Sequence, residues 1–433
     1  MGRFHDASTS VAVKLRKLEL THLTMSEFLL LSFGVLTLSN AFALLEVLGA
    51  RLAYLEGYTG KNGTTSEDLH ESTSIVVCAL FPNEESSLAV TVPHNMKLST
   101  EFGMNYYLSV NANKEFDLST ARDHLQFEYK EDSLILNLDS DSKAENLNNA
   151  AESIDTKNFL ILDADARIEY FHSRVKERIS DDIACIQFTN RVLEYPSFLN
   201  WLVRHETDLK YFVSYPGRYR ILETAYCSGS NALWRTEKAK QIGFSKSAAT
   251  EDIEASIRSL LAGHRIVFSL DALAYDEAPP TWRDWWRQRR RWAIGWAQLF
   301  VRFQFSVLTS SQLTLIQKAS WSVLLTVRRL LYPMAFAVLF LAGILDPLVD
   351  GTALVLLIIH AVGQSAICLV SCGLAWKILD SRGIDHNKLS MLGYVILFPL
   401  YDVVRTLSIL ASFDGFFRSK VPWHVTRRRL DIQ

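Results

Sequence analysis

The chain has 433 residues, room for about two or three domains, and a net charge of −2, which excludes recognition of nucleic acid through a global positive field. Hydrophobic residues make up 49% of it and ten residues are Trp, which is more apolar than a soluble enzyme of this length requires. The apolar residues concentrate before residue 50 and after residue 320, around a middle of ordinary soluble composition, and this pattern describes a membrane protein with one large water-exposed domain.

Residues 1–25 are polar and carry Lys14, Arg16 and Lys17. The apolar stretch within 26–50 is long enough to span a bilayer. Glu46 falls near one end of it, at the expected interface; a buried amphipathic helix is the alternative, given Ser32, Ser39 and Asn40. A polar, Gly-rich linker covers 51–73. Short apolar or β-branched runs then predict strands over 74–80, 106–110, 134–136, 159–162 and 183–188, separated by helical or mixed stretches. Strand–helix alternation over 74–295 predicts an α/β fold with a doubly wound, mostly parallel sheet, in which ligands gather at the carboxyl ends of strands. Residues 296–320 are amphipathic, with Arg302 and Gln304, and predict an interfacial helix. Apolar segments over 330–345, 354–379 and 389–410 predict two or three spans within 321–412. The first is short unless it extends back and takes Arg328 and Arg329 with it, and the third carries Asp402 and Arg405, which are costly in lipid unless paired or facing a polar interior. Residues 413–433 form a basic tail. The five cysteines (Cys78, Cys185, Cys227, Cys368, Cys372) show no zinc-site spacing, so a reduced central domain is expected, as on a cytosolic face.

Five stretches carry chemistry. Asp163-Ala164-Asp165 ends a buried apolar strand; two carboxylates there read either as a site for a hard cation and its phosphates or as a solvated turn. Lys143, in the stretch 142–150, is a cation available to phosphate and Asn148 a neutral donor; a solvated helix start is the plainer reading. Cys227-Ser-Gly-Ser-Asn reads as a loop that lets backbone approach a ligand, followed by a helix, or as an ordinary turn. Thr250-Glu251-Asp252 opens a helix, with Thr250 as its N-cap and acidic residues in the first turn; alternatively Asp252 is a general base. Trp285 to Trp296 packs four Arg and four Trp into twelve residues, suited to gripping phosphate and stacking on sugar rings, or to an interfacial belt.

Taken in order, these stretches resemble the processive, membrane-integrated family 2 glycosyltransferases, such as cellulose, chitin and hyaluronan synthases. Asp163-Ala164-Asp165 is similar to the family's DxD, Thr250-Glu251-Asp252 to its TED, Gln288-Arg289-Arg290-Arg291-Trp292 to its QxxRW, and 143–148 to the KAGNLN of cellulose synthases. Trp423 to Arg427 resembles a C-terminal segment of such enzymes. The resemblance implies a GT-A-type catalytic domain with membrane helices at both ends. It implies inverting transfer from a UDP-sugar to a growing β-linked polysaccharide, coupled to translocation. Asp252 would be the base, with Glu251 and Thr250 beside it. Asp163, Lys143, Asn83, Glu84, Gln288, Arg291 and Trp292 would bind donor and acceptor, and Asp165 would hold Mg²⁺ or Mn²⁺. The implied partners are the UDP-sugar, a polysaccharide or lipid acceptor, the bilayer, and export or assembly subunits, with no nucleic acid. The implied place is the plasma membrane or, in a eukaryote, the Golgi, with the catalytic domain cytosolic, although the basic N-terminal residues argue for the opposite orientation. Two departures bear on this. The family's acidic pair after the second strand is replaced by Asn111 and Asn113, and Pro82 stands directly before Asn83 and Glu84. Single-sugar transfer to a ceramide- or polyprenyl-phosphate-type lipid, and a non-catalytic assembly subunit, are the alternative functions.

Overall fold

The computed structural model describes residues 24–56, 72–80, 84–112, 133–138, 140, 142–172, 175, 178–345 and 351–413. Asn83, Asn113, the basic residues before 24, most of the linker and the tail beyond 413, with Trp423 and Arg427, lie outside them.

Helix α1 (Met25–Leu55) precedes β1 (Thr73–Leu80), α2 (Glu85–Glu101), β2 (Asn105–Ala112), β3 (Leu134–Leu138), α3 (Lys143–Ser153), β4 (Asn158–Asp163), β5 (Arg167–Phe171) and β6 (Ile183–Val192). Helix α4 (Phe198–Leu209) runs through a π-helical turn (Lys210–Ser214) into α5 (Tyr215–Leu222). Strand β7 (Ala232–Arg235), α6 (Thr236–Ile242), α7 (Glu251–Leu261), β8 (Arg265–Asp276) and α8 (Trp282–Thr309) follow. Helix α9 (Leu315–Ser322) passes through a second π-helical turn (Val323–Leu331) into α10 (Tyr332–Leu345), and α11 (Thr352–Arg382) and α12 (Lys388–Leu410) close the described chain.

The sheet is α/β and mostly parallel, in the order β3-β2-β1-β4-β7-β6-β8-β5. Strands β3, β2, β1 and β4 run parallel; β7 is antiparallel to both β4 and β6, and β5 to β8. Period-two alternation divides β1 and β4 between two apolar layers. Val76, Cys78, Phe159 and Ile161 face the layer with α3, while Ile75, Val77, Leu160 and Leu162 face the layer with Leu88 and Val92 of α2. Two elements depart from expectation. Ala232–Arg235 is a strand where a helix is expected directly after the loop, because Ala232, Leu233 and Trp234 bury themselves between β4 and β6. Strand β8 is long but shifts register against β6, and the polar Ser269 and Asp271 break its pattern. Cys185 and Cys227, 42 residues apart, lie near one another, their Cα atoms 7.2 Å apart; packing of β6 against the chain before β7, not sequence spacing, brings them together.

Among the described residues, four helices are long and apolar enough to cross a membrane: Met25–Leu55, Leu315–Ile344, Thr352–Arg382 and Lys388–Leu410. Their polarity is inverted relative to a soluble core. Leu30, Leu38, Ile358, Val362, Ile396 and Leu400 face outward, while Ser39, Glu46, His360, Ser371, Asp402 and Thr406 are buried. Glu46, near one end of α1, is buried against the sheet domain. It is 1% exposed and accepts from Arg218 at 3.0 Å and Arg328 at 3.3 Å, which offsets the cost of burying its charge. Helix α1 reaches α5 closely enough for this because Gly49 and Gly217 meet backbone to backbone, where a Cβ on either would overlap the other helix. The span beginning at Leu315 does carry Arg328 and Arg329, and Asp402 pairs with Arg405. The amphipathic stretch over 296–320 is divided between the end of α8 and the start of α9.

Candidate active site

The carboxyl ends of β1 and β4 lie side by side, with Cys78 opposite Asp163. Asp163 faces a cavity of roughly 410 Å³ that also receives Lys143, Glu84, Gly229, Glu251 and Asp252. Lys143, the first residue of α3, ion-pairs with Asp163 and donates to the Gly229 carbonyl at 2.9 Å. Burial alone would depress its ammonium, but the Asp163 and Glu251 carboxylates hold it above its usual value. Asn148, expected as a ligand donor, is structural: it exchanges two hydrogen bonds with the Phe244 backbone at 2.9 and 2.7 Å. Asn146 likewise ties α3 to the Ala79 and Ser109 carbonyls.

The loop 227–231 brings backbone to Asp252. Gly229 has φ 92°, a conformation that favours glycine, and a Cβ there would crowd the Asp252 Oδ2 at 3.2 Å. Its neighbours hold it in place: Ser228 N donates to Gln187 Oε1 at 2.7 Å, and Asp163 N to Ser230 Oγ at 3.2 Å. Asp252 sits in the first turn of α7. Burial, then the neighbouring Glu251, push its carboxyl up to about 7, against the lowering effects of the Ile253 N–H and Lys143. A carboxylate poised near neutrality in a cavity is suited to proton abstraction. Thr250 occupies the N-cap position but makes no capping bond. Its side chain is pressed against Gly295 of α8, and its Oγ1 is buried without a hydrogen-bond partner. Gln298 of α8 accepts from Ala249 N at 3.1 Å, so α8 positions this loop from the other side.

Helix α8 divides its motif between two duties. Gln288, Arg291 and Trp292 line the cavity. Arg289 binds Glu206 at 2.6 Å beneath the Trp292 ring, and Arg290 donates to the Ala411 carbonyl at 3.1 Å, just past the end of α12. The cavity then continues among the membrane-type helices to Ser39, Gln364 and Ser371. Lys210, Tyr226 and Arg329 line it too, and the sequence motifs did not point to them; the Arg328-Arg329 pair inside an apolar segment was the one available signal.

Asp165 is not brought into this cavity. The chain turns directly after Asp163, with Ala166 N donating to its carbonyl at 2.9 Å. The turn leaves Asp165 2% exposed, its Oδ2 accepting from Glu277 N at 2.8 Å. Asp163, the one cavity-facing member of the pair, is already neutralised by Lys143. Among the described residues no group of three His, Cys, Asp or Glu side chains converges as a metal site. A divalent ion that arrives with the donor's phosphates needs only one or two protein carboxylates, of which Asp163 stands at the cavity and Asp165 does not. Asn111, at the end of β2, is fully buried; it donates to the Ser142 carbonyl at 3.4 Å, its Oδ1 has no hydrogen-bond partner, and it does not reach the cavity.

Comparisons with known proteins agree with a glycosyltransferase. A probable glycosyltransferase of Bacillus subtilis, YdaM, is 32% identical over 108 residues, 25% of this chain and 26% of the relative. A probable glucomannan 4-beta-mannosyltransferase 7 of Oryza sativa is 33% identical over 116 residues, 26% of this chain and 20% of the relative. The chain thus matches about a quarter or less of the length of these curated relatives. A mannosyltransferase of Pyrobaculum calidifontis, solved with GDP-Man and Mn²⁺, covers 86% of this chain and 99% of its own at 16% identity and a TM-score of 0.49. The family model for glycosyl transferase family group 2 matches residues 159–375, half of the chain, from the strand carrying Asp163 into α11; the chain belongs to this family of glycosyltransferases.

Proposed function

We propose that the chain is an inverting glycosyltransferase that moves a sugar from a UDP-sugar onto an acceptor hydroxyl presented from the membrane side of the cavity. One observation carries the reading: a single cavity joins Asp163, Asp252, Arg291 and Trp292 to Ser39, Gln364 and Ser371 of the membrane-type helices. The acceptor oxygen attacks the anomeric carbon in line, the bond from that carbon to the diphosphate oxygen breaks, and the diphosphate leaves with the electron pair. Asp252 takes the hydroxyl proton, with Glu251 raising its basicity and Thr250 packed against Gly295 of α8 at the start of α7. Gln288 and Arg291 hold the departing diphosphate, Trp292 stacks on the acceptor sugar, and Asp163, Lys143 and Glu84 wall the donor side. The Mg²⁺ or Mn²⁺ implied by the DxD resemblance enters none of these steps. The catalytic domain is assigned to the cytosol, where nucleotide sugars are made.

A growing β-linked polysaccharide, as in the glucomannan mannosyltransferases, is one acceptor, with the cavity as its exit path. A second reading, transfer of one sugar to a lipid, is favoured by the far end of the cavity. There Gln364 donates to Asn40 at 2.6 Å, His360 bonds Tyr332 at 3.1 Å, and Tyr332 donates to Asp402 at 2.6 Å, a hydrogen-bonded plug across α1, α10, α11 and α12. The test is nucleotide release by the full chain in membranes across UDP-sugars and GDP-mannose, with Asp252→Asn as control and product size read by gel filtration. Release that depends on Asp252 supports the transfer. A single labelled glycolipid rejects the polymer, and release from no donor rejects the enzyme.

A further inference from the structure

The charges along the membrane half of the cavity do not balance. Glu46 takes Arg218 and Arg328, and Glu206 takes Arg289 and Arg405. Lys210, Arg291 and Arg329 also line the cavity, and no carboxylate among the described residues pairs with them. Arg291 belongs to the motif assigned to the donor diphosphate, which leaves Lys210 and Arg329. Both are held against aromatic faces rather than anions. Lys210 Nζ lies 4.7 Å from the Tyr211 ring centre and 5.1 Å from that of Tyr215, and the Arg329 guanidinium lies 4.5 Å from that of Trp296. The Arg329 Nε is buried with no hydrogen-bond partner. Both are only partly buried at the cavity wall, where an anion can reach them, and a ring face meets only part of a cation's need for counter-charge.

Two further observations bring these cations to one place. Each sits in a π-helical turn, Lys210 in Lys210–Ser214 and Arg329 in Val323–Leu331, and such widened turns in otherwise regular helices are frequent at functional sites. The aromatic supports are also joined through Tyr226, whose ring lies 5.2 Å from that of Tyr215 beside Lys210 and 5.5 Å from that of Trp296 beside Arg329. An Arg fork and a Lys point charge contributed by different helices match a compact anion with oxygens on several sides, which a phosphate is.

We infer that the acceptor is a phospholipid with a free headgroup hydroxyl, its phosphate seated between Lys210 and Arg329 beside Tyr226 and its hydroxyl reaching Asp252. The inference rests on the transferase reading and names the acceptor for it. The membrane helices supply the route for the tails, Lys210 and Arg329 fix the headgroup, and Asp252 needs a hydroxyl proton to remove, so the nucleophile is the hydroxyl and not the phosphate.

The test uses the full chain in nanodiscs with labelled nucleotide sugar. Phosphatidylinositol and phosphatidylglycerol, which carry both groups, are compared with diacylglycerol, which has the hydroxyl without the phosphate, and with a short β-linked oligosaccharide. The expected result is transfer to a phospholipid and not to diacylglycerol. Lys210→Gln and Arg329→Gln should each raise the acceptor KM tenfold or more with donor KM unmoved, and the charge-keeping Lys210→Arg and Arg329→Lys should restore most of it. Native mass spectrometry of retained phosphatidylinositol, weaker in the Lys210→Gln/Arg329→Gln double variant, gives a readout independent of turnover. Three results overturn the inference: equal transfer to diacylglycerol, transfer to the oligosaccharide alone, or a rise in donor KM with acceptor KM unchanged, which would assign the cations to the diphosphate. Loss of all Asp252-dependent nucleotide release instead rejects the transferase reading beneath it, and the inference with it.

Discussion

Asp252 is the residue on which the proposed chemistry turns, and its titration is directly measurable. With its carboxyl raised to about 7, the acid limb of kcat/KM should bend near that pH and fall about tenfold per unit below it. Asp252→Asn should lower turnover by roughly 10²- to 10⁴-fold, the range for a lost general base. The same shift has a stability consequence of opposite sign. The folded value lies above the unfolded 3.8, so the protonated form favours folding, and this contribution is lost as pH rises through about 7. Asp252→Asn should therefore be more stable than the wild type above neutrality, by on the order of 1–3 kcal/mol, with the gap wider at pH 8 than at pH 6 in thermal unfolding. Asp163, Lys143, Asp252, Gln288, Arg291 and Trp292 were legible in the sequence because each belongs to a short motif, and the structure sets all six on one cavity. Asp165 was not, because the turn after Asp163 decides which way it points. Lys210 and Arg329 were not, because α-helical periodicity carries no sign of the π-helical turns that present them.

Among the elements, the seam between α1 and the α4–α5 unit is the joint that ties the catalytic domain to the membrane helices. Its polar part is the buried Glu46–Arg218–Arg328 cluster and its steric part the Gly49–Gly217 approach. Glu46→Ala strands two cations and should cost about 3–5 kcal/mol, read as a drop in melting temperature of the detergent-solubilised chain. A Glu46→Met/Arg218→Met double variant removes both buried charges of the tighter pair and should be less destabilised than Glu46→Ala. Gly217→Ala drives a methyl into the Glu46 backbone, so we expect loss of the monodisperse chain on size exclusion. Glu46 itself could be seen in the sequence as an anomaly in an apolar run, but its partner Arg218 lies 172 residues away in an unremarkable polar stretch. The strands show the same division. Strands β1 and β4 were readable because burial on both faces makes them continuous apolar runs, whereas the four-residue β7 depends on the strands it inserts between, and β8 is obscured by its register shift.

Across the whole molecule, polar side chains turned inward within outward-facing apolar helices extend the candidate active-site cavity among the membrane-type helices. Hydrogen bonds and ion pairs run from Asn40 and Gln364 through His360, Tyr332 and Asp402 to Arg405, Glu206 and Arg289 on the helix of the QxxRW motif. Apolar content at both ends of the chain announced the membrane helices. The joining of their interior to the active site was not readable, because it depends on which face of each helix turns inward. The most direct test of the central claim is label transfer from a panel of nucleotide sugars by the purified full chain in lipid, wild type against Asp252→Asn, with the anomeric configuration of the product read by NMR. The account predicts that one donor is consumed, that the product is β-linked, and that the variant loses at least about 100-fold. Consumption of no donor, retention of configuration, or equal rates in wild type and variant would contradict it.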